Sequence, residues 1–121
     1  MDTLEKLKLI VSTGLDKKAE DPVIINLKDL TTLADYFVVF TATSDTHART
    51  IADEIRKKLK DAGILPLSFE GYETANWILM DYGDIIVHIF KPEFRELYSL
   101  ETLWMDAPRV EVSELLPEES L

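Results

Sequence analysis

Residues 77–90 read WILMDYGDIIVHIF, two apolar runs that flank a short polar turn. The runs are rich in β-branched and aromatic side chains, which fit a pleated and half-buried surface. The turn contains Gly83, and glycine adopts a left-handed backbone without steric cost. The stretch therefore predicts a β-hairpin with strands over residues 77–80 and 85–90.

The turn decides which side chains share a face of this hairpin. A two-residue loop of type I′ would force Tyr82 to a positive φ, so a three-residue loop with Gly83 in the left-handed conformation is favoured. On one face this register places Trp77, Leu79, Ile85, Val87 and Ile89, and on the other Asn76, Ile78, Met80, Ile86 and His88. A two-residue loop would instead set Trp77 opposite His88.

The chain around the hairpin alternates between helical and strand patterns. Apolar residues at helical spacing predict a helix over residues 2–20 and another that begins after Ser44 and stops at Gly63. Pro92 suits the first turn of a short final helix. Further strands are predicted over residues 23–27, 36–41 and 65–69. The order α-β-β-α-β-β-β-α predicts an α/β domain, a mixed sheet of about five strands with flanking helices.

The length of 121 residues fits one compact domain, and a hydrophobic fraction of 46% is enough for a core. We place the domain at residues 1–108 and expect the acidic residues 109–121 to form a mobile tail. Cysteine is absent, which excludes disulfides and thiolate metal sites. The first residues lack the pattern of a signal peptide, and no apolar run approaches the roughly 20 residues of a membrane helix. These features predict a soluble, cytoplasmic protein with no membrane partner.

The formal net charge is −10, from 23 acidic and 13 basic residues. Nucleic-acid binding depends mainly on Lys and Arg at phosphates, so a chain this acidic is not expected to bind nucleic acid directly. A basic protein surface is the better complement for a macromolecular partner. The alternative is that the charge only keeps the protein in solution.

Residues with catalytic potential are sparse. His47 and His88 are the only histidines, and no cluster with metal-ligand spacing surrounds them, so we predict neither a metal site nor a cofactor. Asp45, Asp81 and Asp84 could bind magnesium for nucleotidyl transfer, but the chain lacks a glycine-rich phosphate loop. The sequence therefore predicts a protein that is not an enzyme and has no catalytic residue.

Both faces of the predicted hairpin are rich in apolar groups, and three helices, one of them short, cannot cover both. Apolar sheet surface left open and rimmed by Glu70, Glu73, Asp81 and Asp84 would form a binding patch. Trp77 would be its anchor, because tryptophan is enriched among interface hot spots. The competing interpretation is that Trp77 belongs to the core.

Several short stretches together resemble the ribosomal silencing factor (Iojap-like) family over about residues 5–108. Each is weak alone, but their combination in this order is specific. They are residues 34–37 (ADYF), 43–45 (TSD), 70–72 (EGY), 77–90, 100–104 (LETLW) and 106–108 (DAP).

The resemblance implies a fold similar to that of nucleotidyltransferases, without their activity. Family members bind the fourteenth protein of the large ribosomal subunit and block joining of the small subunit, chiefly when nutrients are scarce. They can also form homodimers. The implied partner-binding residues are Glu70, Tyr72, Trp77, Ile78, Asp81, Asp84 and His88.

Three hypotheses follow. In the first, the chain is a translation repressor that binds a large-subunit protein and sterically blocks subunit association. In the second, it is a small magnesium-dependent nucleotidyltransferase. In the third, it is a homodimeric scaffold whose patch is buried against its own copy.

Overall fold

A computed structural model describes residues 1–117, and residues 118–121, the end of the predicted tail, lie outside the described residues. The helices are α1 (Thr3–Asp16), α2 (Asp45–Asp61), α3 (Pro92–Tyr98), α4 (Leu100–Leu103) and α5 (Val112–Leu115). The strands are β1 (Glu20–Asn26), β2 (Tyr36–Thr41), β3 (Ser68–Glu70), β4 (Trp77–Asp81), β5 (Ile85–Phe90) and β6 (Arg109–Val110). The predicted α/β fold with a mixed sheet and flanking helices is confirmed.

The six strands form one sheet in the order β3-β4-β5-β2-β1-β6. β2 and β5 are parallel and lie at its centre, whereas the other neighbours pair antiparallel. Every residue of β2 and β5 is buried. Both strands are continuous runs of apolar and aromatic residues, as expected for strands that are covered on both faces.

The two faces of the sheet are covered differently. α1 and α2 pack on one face, where side chains such as Leu7, Ile10, Ile51 and Ile55 are completely buried. The other face is covered by α3, α4 and the chain that follows them to residue 108, through Leu100 and neighbouring groups. We call these layers the helical layer and the α3–α4 segment.

The predicted start and stop of the second helix are confirmed. The Ser44 side chain accepts a hydrogen bond from the backbone N–H of His47 at 3.0 Å and caps α2. At the other end, Gly63 follows the C-cap with a φ of +83°. α1 ends earlier than predicted, because Lys18 turns the chain with a φ of +63° before β1 begins.

The predicted register of the hairpin was wrong. Trp77 pairs with Phe90, and Leu79 pairs with His88. The loop has two residues, because the N–H of Tyr82 still bonds to the carbonyl of Ile85 at 2.9 Å. Its first residue is Gly83, with a φ of +88°, so the positive φ falls on glycine alone, as in a type II′ turn.

This register redistributes the side chains of the hairpin. Tyr82 stays within the strand pairing and is buried toward the helical layer. Trp77, Leu79 and Asp81 share the opposite face with the side chains of Ile86, His88 and Phe90. The helical layer covers Ile78, Met80, Ile85, Val87 and Ile89.

The predicted domain boundary at residue 108 needs correction for residues 109–117. β6 pairs antiparallel with β1, and Leu115 and Leu116 are buried in the core beneath the helical layer. Arg109 anchors the segment by donating hydrogen bonds to the carbonyls of Glu101, Trp104 and Ala107. A short apolar motif within an acidic stretch thus completes the domain.

Candidate partner-binding surface

The sheet face that carries Trp77 is covered at the centre and open toward β4 and β3. Phe37 and Phe90 are buried under the α3–α4 segment, which contributes the buried side chain of Leu100. Trp77 and Leu79 are only half-buried, and Glu70 on the edge strand is exposed. Apolar surface therefore reaches solvent on this face, as the sequence predicted for one side of the sheet.

Trp77 forms a three-ring cluster with Phe90 and Tyr98. Its indole stacks on Phe90 with the ring centroids 5.1 Å apart. The ring of Tyr98, at the end of α3, is tilted relative to the indole, and their centroids are 4.7 Å apart. Tyr98 is 49% exposed, so it extends the apolar surface outward. Trp77 is thus neither sealed in the core nor fully solvated.

We call the surface formed by Trp77, Leu79, Tyr98, Glu70 and Asp81 the Trp77 patch. Glu70 pairs directly with Leu79 across the β3–β4 ladder, and Asp81 is two residues further along the same face of β4. The Asp81 side chain accepts a hydrogen bond from the N–H of Gly83 at 2.8 Å, which fixes its position at the turn. The patch therefore combines an apolar centre with two carboxylates at its rim.

His88 lies on the same face but does not reach the surface. It is 3% exposed, and its Nδ1 accepts a hydrogen bond from Trp77 Nε1 at 3.0 Å. Burial lowers the pKa of His88 to about 4, so the ring is neutral at pH 7. Its Nε2 is buried without a hydrogen-bond partner.

Comparison with known proteins identifies the family. A profile described as "Ribosomal silencing factor during starvation" matches residues 1–120. The chain belongs to the ribosomal silencing factor family. A silencing factor of Halalkalibacterium halodurans is 42% identical over 112 residues, which cover 93% of this chain and 96% of the relative. A crystal structure from Chromobacterium violaceum matches with a TM-score of 0.83 at 34% identity, covering 86% of this chain and 87% of that one.

A more distant relative is named as a mitochondrial protein. The mouse protein named "Mitochondrial assembly of ribosomal large subunit protein 1" is 30% identical over 101 residues, which cover 81% of this chain and 44% of that protein. Family membership makes this chain a ribosome-associated regulator of translation. Members are named silencing factors, a name that fits the prediction of a protein that is not an enzyme.

The structure separates Asp84 from the Trp77 patch. Its carboxylate accepts hydrogen bonds from Thr3 Oγ1 at 2.6 Å and from Lys6 Nζ at 2.8 Å, both on α1. Partial burial raises the pKa of Asp84, but the hydrogen bonds from Lys6 and Thr3 outweigh it and hold the pKa below its usual value. In the silencing factor, Asp84 therefore ties the hairpin turn to the helical layer.

Two further residues implied by the family resemblance face the helical layer. Ile78 is completely buried beneath α2. Tyr72 donates its hydroxyl to Asp53 of α2 at 3.0 Å and packs edge-on against Phe69 at 5.5 Å. The fold thus brings Glu70, Trp77, Asp81 and, beneath them, His88 together, and it places Ile78, Tyr72 and Asp84 elsewhere.

Tyr98 and Leu79 are the patch residues that the sequence reasoning did not name as partner-binding residues. Tyr98 follows Pro92 in the region of the predicted short final helix, and nothing local showed that this helix folds back beside Trp77. Leu79 was placed on the same face as Trp77, but the wrong register gave both residues the wrong neighbours on β5. The sequence offered one signal for Tyr98, because it is an aromatic residue that follows soon after the hairpin that contains Trp77.

The carboxylates considered for magnesium binding do not converge. Asp45 forms an ion pair with Lys91 at 2.7 Å, and Asp84 pairs with Lys6 at the same distance. Within residues 1–117, no group of three or more His, Cys, Asp or Glu side chains is arranged to hold a metal ion. No helix of this part of the chain is long and apolar enough to cross a membrane.

Proposed function

We propose that this silencing factor represses translation by binding the fourteenth protein of the large ribosomal subunit through the Trp77 patch. The bound protein would occupy a surface that the small subunit must contact, so the two subunits could not associate. The mechanism requires no chemical step, and repression follows the occupancy of the binding site. The proposed site of action is the cytoplasm.

The observation that carries this proposal is the half-buried Trp77 on an incompletely covered sheet face. A large aromatic side chain with an open edge can bury further apolar area when a partner docks, and such residues dominate binding energies. Family membership supports the ribosome as the target. The name of the mouse relative, which refers to the large subunit, supports the choice of subunit.

The charge of the protein supports a basic partner. Glu70 and Asp81 flank the apolar centre of the patch, and the whole chain carries a net charge of −10. Complementary charge accelerates encounter and disfavours incorrect partners, and the apolar centre provides most of the affinity. A lysine- and arginine-rich protein surface fits this arrangement better than the phosphate backbone of ribosomal RNA.

A subunit-joining assay tests the proposal. Purified small and large subunits are mixed with the wild-type protein, with Trp77→Ala, or with Leu4→Ala, and the fraction of joined ribosomes is measured by sedimentation. Leu4 is an equally apolar residue that is 50% exposed on α1, away from the patch. We expect Trp77→Ala to weaken binding by about 2 kcal/mol, roughly thirtyfold, and Leu4→Ala to act like the wild type.

Equal repression of joining by Trp77→Ala and the wild type, with both proteins folded, would contradict the proposal. Loss of repression by both variants would show that the effect is not specific to the patch, and would also contradict it.

A homodimer remains the second candidate, because the same surface could be buried against another copy. Tyr98, which is 49% exposed, would contribute apolar area to such a contact. Sedimentation velocity over a range of concentrations tests this candidate. A dimer that dissociates when the large subunit is added would satisfy both interpretations.

A further inference from the structure

We propose that His88 is a positioning residue, which holds the Trp77 indole in the orientation that docks onto the partner. This inference rests on the proposed function and assigns His88 a role different from direct contact. The family resemblance implied that His88 touches the partner, but its side chain lies beneath Trp77 and is 3% exposed.

The hydrogen bond between the two rings determines the form of the histidine. The indole N–H of Trp77 can only donate, and it points at His88 Nδ1 over 3.0 Å. Nδ1 must therefore be unprotonated and act as the acceptor. A neutral ring then carries its proton on Nε2, so this geometry fixes a single tautomer.

Stacking alone would leave Trp77 with more than one orientation. Phe90 and Tyr98 contact the indole at centroid distances of 5.1 and 4.7 Å, and such contacts tolerate sliding or turning of the ring in its own plane. The χ2 torsion of tryptophan is broad, so the indole can take either of two orientations that differ by a flip of the ring. The bond to His88 selects the orientation that directs the indole N–H inward, toward Nδ1.

His88 is itself held rigidly. Its ring packs edge-on against Phe37 at 4.6 Å, and its backbone pairs with Val39 on one side and Leu79 on the other. An acceptor on such a fixed support restricts its donor before a partner arrives. A side chain that is already ordered loses less conformational entropy on binding.

The buried Nε2 shows what this arrangement costs. It lacks a hydrogen-bond partner, and leaving a buried donor unpaired is unfavourable. A leucine or phenylalanine would fill the space without this penalty. The property that histidine adds at this position is the acceptor at Nδ1.

Two variants of similar size separate the acceptor from the packing. Asparagine and leucine have nearly the same shape, but only His88→Asn offers an oxygen near the position of Nδ1. The first readout is the indole N–H signal of Trp77 in ¹H–¹⁵N NMR spectra, with Trp104 as the internal reference. The second is the Kd for the purified fourteenth protein of the large subunit.

We expect the Trp77 indole signal to shift in His88→Leu and to stay near its wild-type position in His88→Asn. We also expect His88→Leu to bind about fivefold more weakly than His88→Asn, the effect of one hydrogen bond of about 1 kcal/mol. An unchanged indole signal in His88→Leu would overturn the positioning role.

A measurement on the wild-type protein covers the case in which either variant fails to fold. Imidazole ¹⁵N shifts of His88 should show an unprotonated Nδ1 and a protonated Nε2, and the opposite tautomer would overturn the inference. Trp77→Ala distinguishes the two proposals. If it binds like the wild type, the proposed function fails, and the positioning role fails with it. If it loses binding while both His88 variants bind equally, only the positioning role fails.

Discussion

His88 illustrates how one buried group links stability to pH. Burial holds its pKa at about 4, against 6.5 for an unperturbed histidine. Between these two pH values His88 is protonated in the unfolded chain but neutral in the folded protein. The contribution of His88 to the free energy of unfolding is therefore fully present above pH 6.5 and is lost as the pH drops toward 4.

We predict that acidification from pH 7 to pH 4 removes about 3 kcal/mol of stability through His88 alone. Urea unfolding at several pH values measures this effect. His88→Asn is the control, because it lacks the titrating ring and keeps every carboxylate. Its stability should depend less on pH than that of the wild type, and parallel curves for the two proteins would contradict the assignment.

Asp81 and Asp84 show that two similar carboxylates on one turn can have different roles. Asp84 is bound to Thr3 and Lys6, whereas Asp81 lies on the rim of the Trp77 patch. The sequence placed both in the same motif and could not separate them. Which of the two faces outward depends on the loop length, which is a property of the folded hairpin.

We predict that Asp84→Asn lowers stability by about 1–2 kcal/mol, because it weakens charge-assisted hydrogen bonds to α1. The same variant should bind the fourteenth protein normally at 25 °C. Asp81→Asn should show the reverse, with nearly unchanged thermal unfolding and weaker binding at low salt. Weak binding by a fully folded Asp84→Asn would place that carboxylate in the interface and contradict this division.

At the scale of elements, local patterns predicted the central strands and α2 well. β2 and β5 were recognisable as apolar and aromatic runs that contain only Thr41 and His88 as polar residues. α2 carries an apolar stripe, with a cap before it and a stop after it. The hairpin register was mispredicted, because the loop length depended on where the positive φ fell. The choice between Tyr82 and Gly83 as the first loop residue reverses the faces.

The C-terminal segment was mispredicted for a different reason. β6 and α5 are too short to give a periodic signal, and Arg109, Glu111 and Glu114 interrupt the apolar residues of this segment. Their structure depends on an edge of β1 and on a gap in the core that distant residues create. For the same reason the sequence could predict Trp77, Glu70 and Asp81 as residues of the Trp77 patch but not Tyr98, whose position depends on how α3 packs.

We predict that Leu115→Ala destabilises the protein by about 2–3 kcal/mol, as expected for truncation of a buried leucine. Leu65→Ala is the control, since that side chain is 64% exposed and its truncation should cost less than about 0.5 kcal/mol. Chemical denaturation of the three proteins measures both values. Equal stability of Leu115→Ala and the wild type would show that α5 is not part of the folded core.

At the scale of the whole molecule, the fold divides its tasks between two layers. α1 and α2 close one face of the sheet with a dense apolar core. The α3–α4 segment covers the other face incompletely, so that Trp77 and Leu79 remain half-buried within an acidic protein. Within residues 1–117, this asymmetry leaves apolar surface open on the Trp77 face, which is the docking surface that we propose.

The most direct test is to map the contact surface by NMR as unlabelled fourteenth protein of the large subunit is added to the ¹⁵N-labelled silencing factor. We predict that the Trp77 indole signal and the amides of Leu79, Asp81 and Tyr98 change, whereas those of exposed α1 and α2 residues such as Leu4 and Asp61 do not. Changes confined to the helical layer, with the Trp77 signals unmoved, would contradict the central claim.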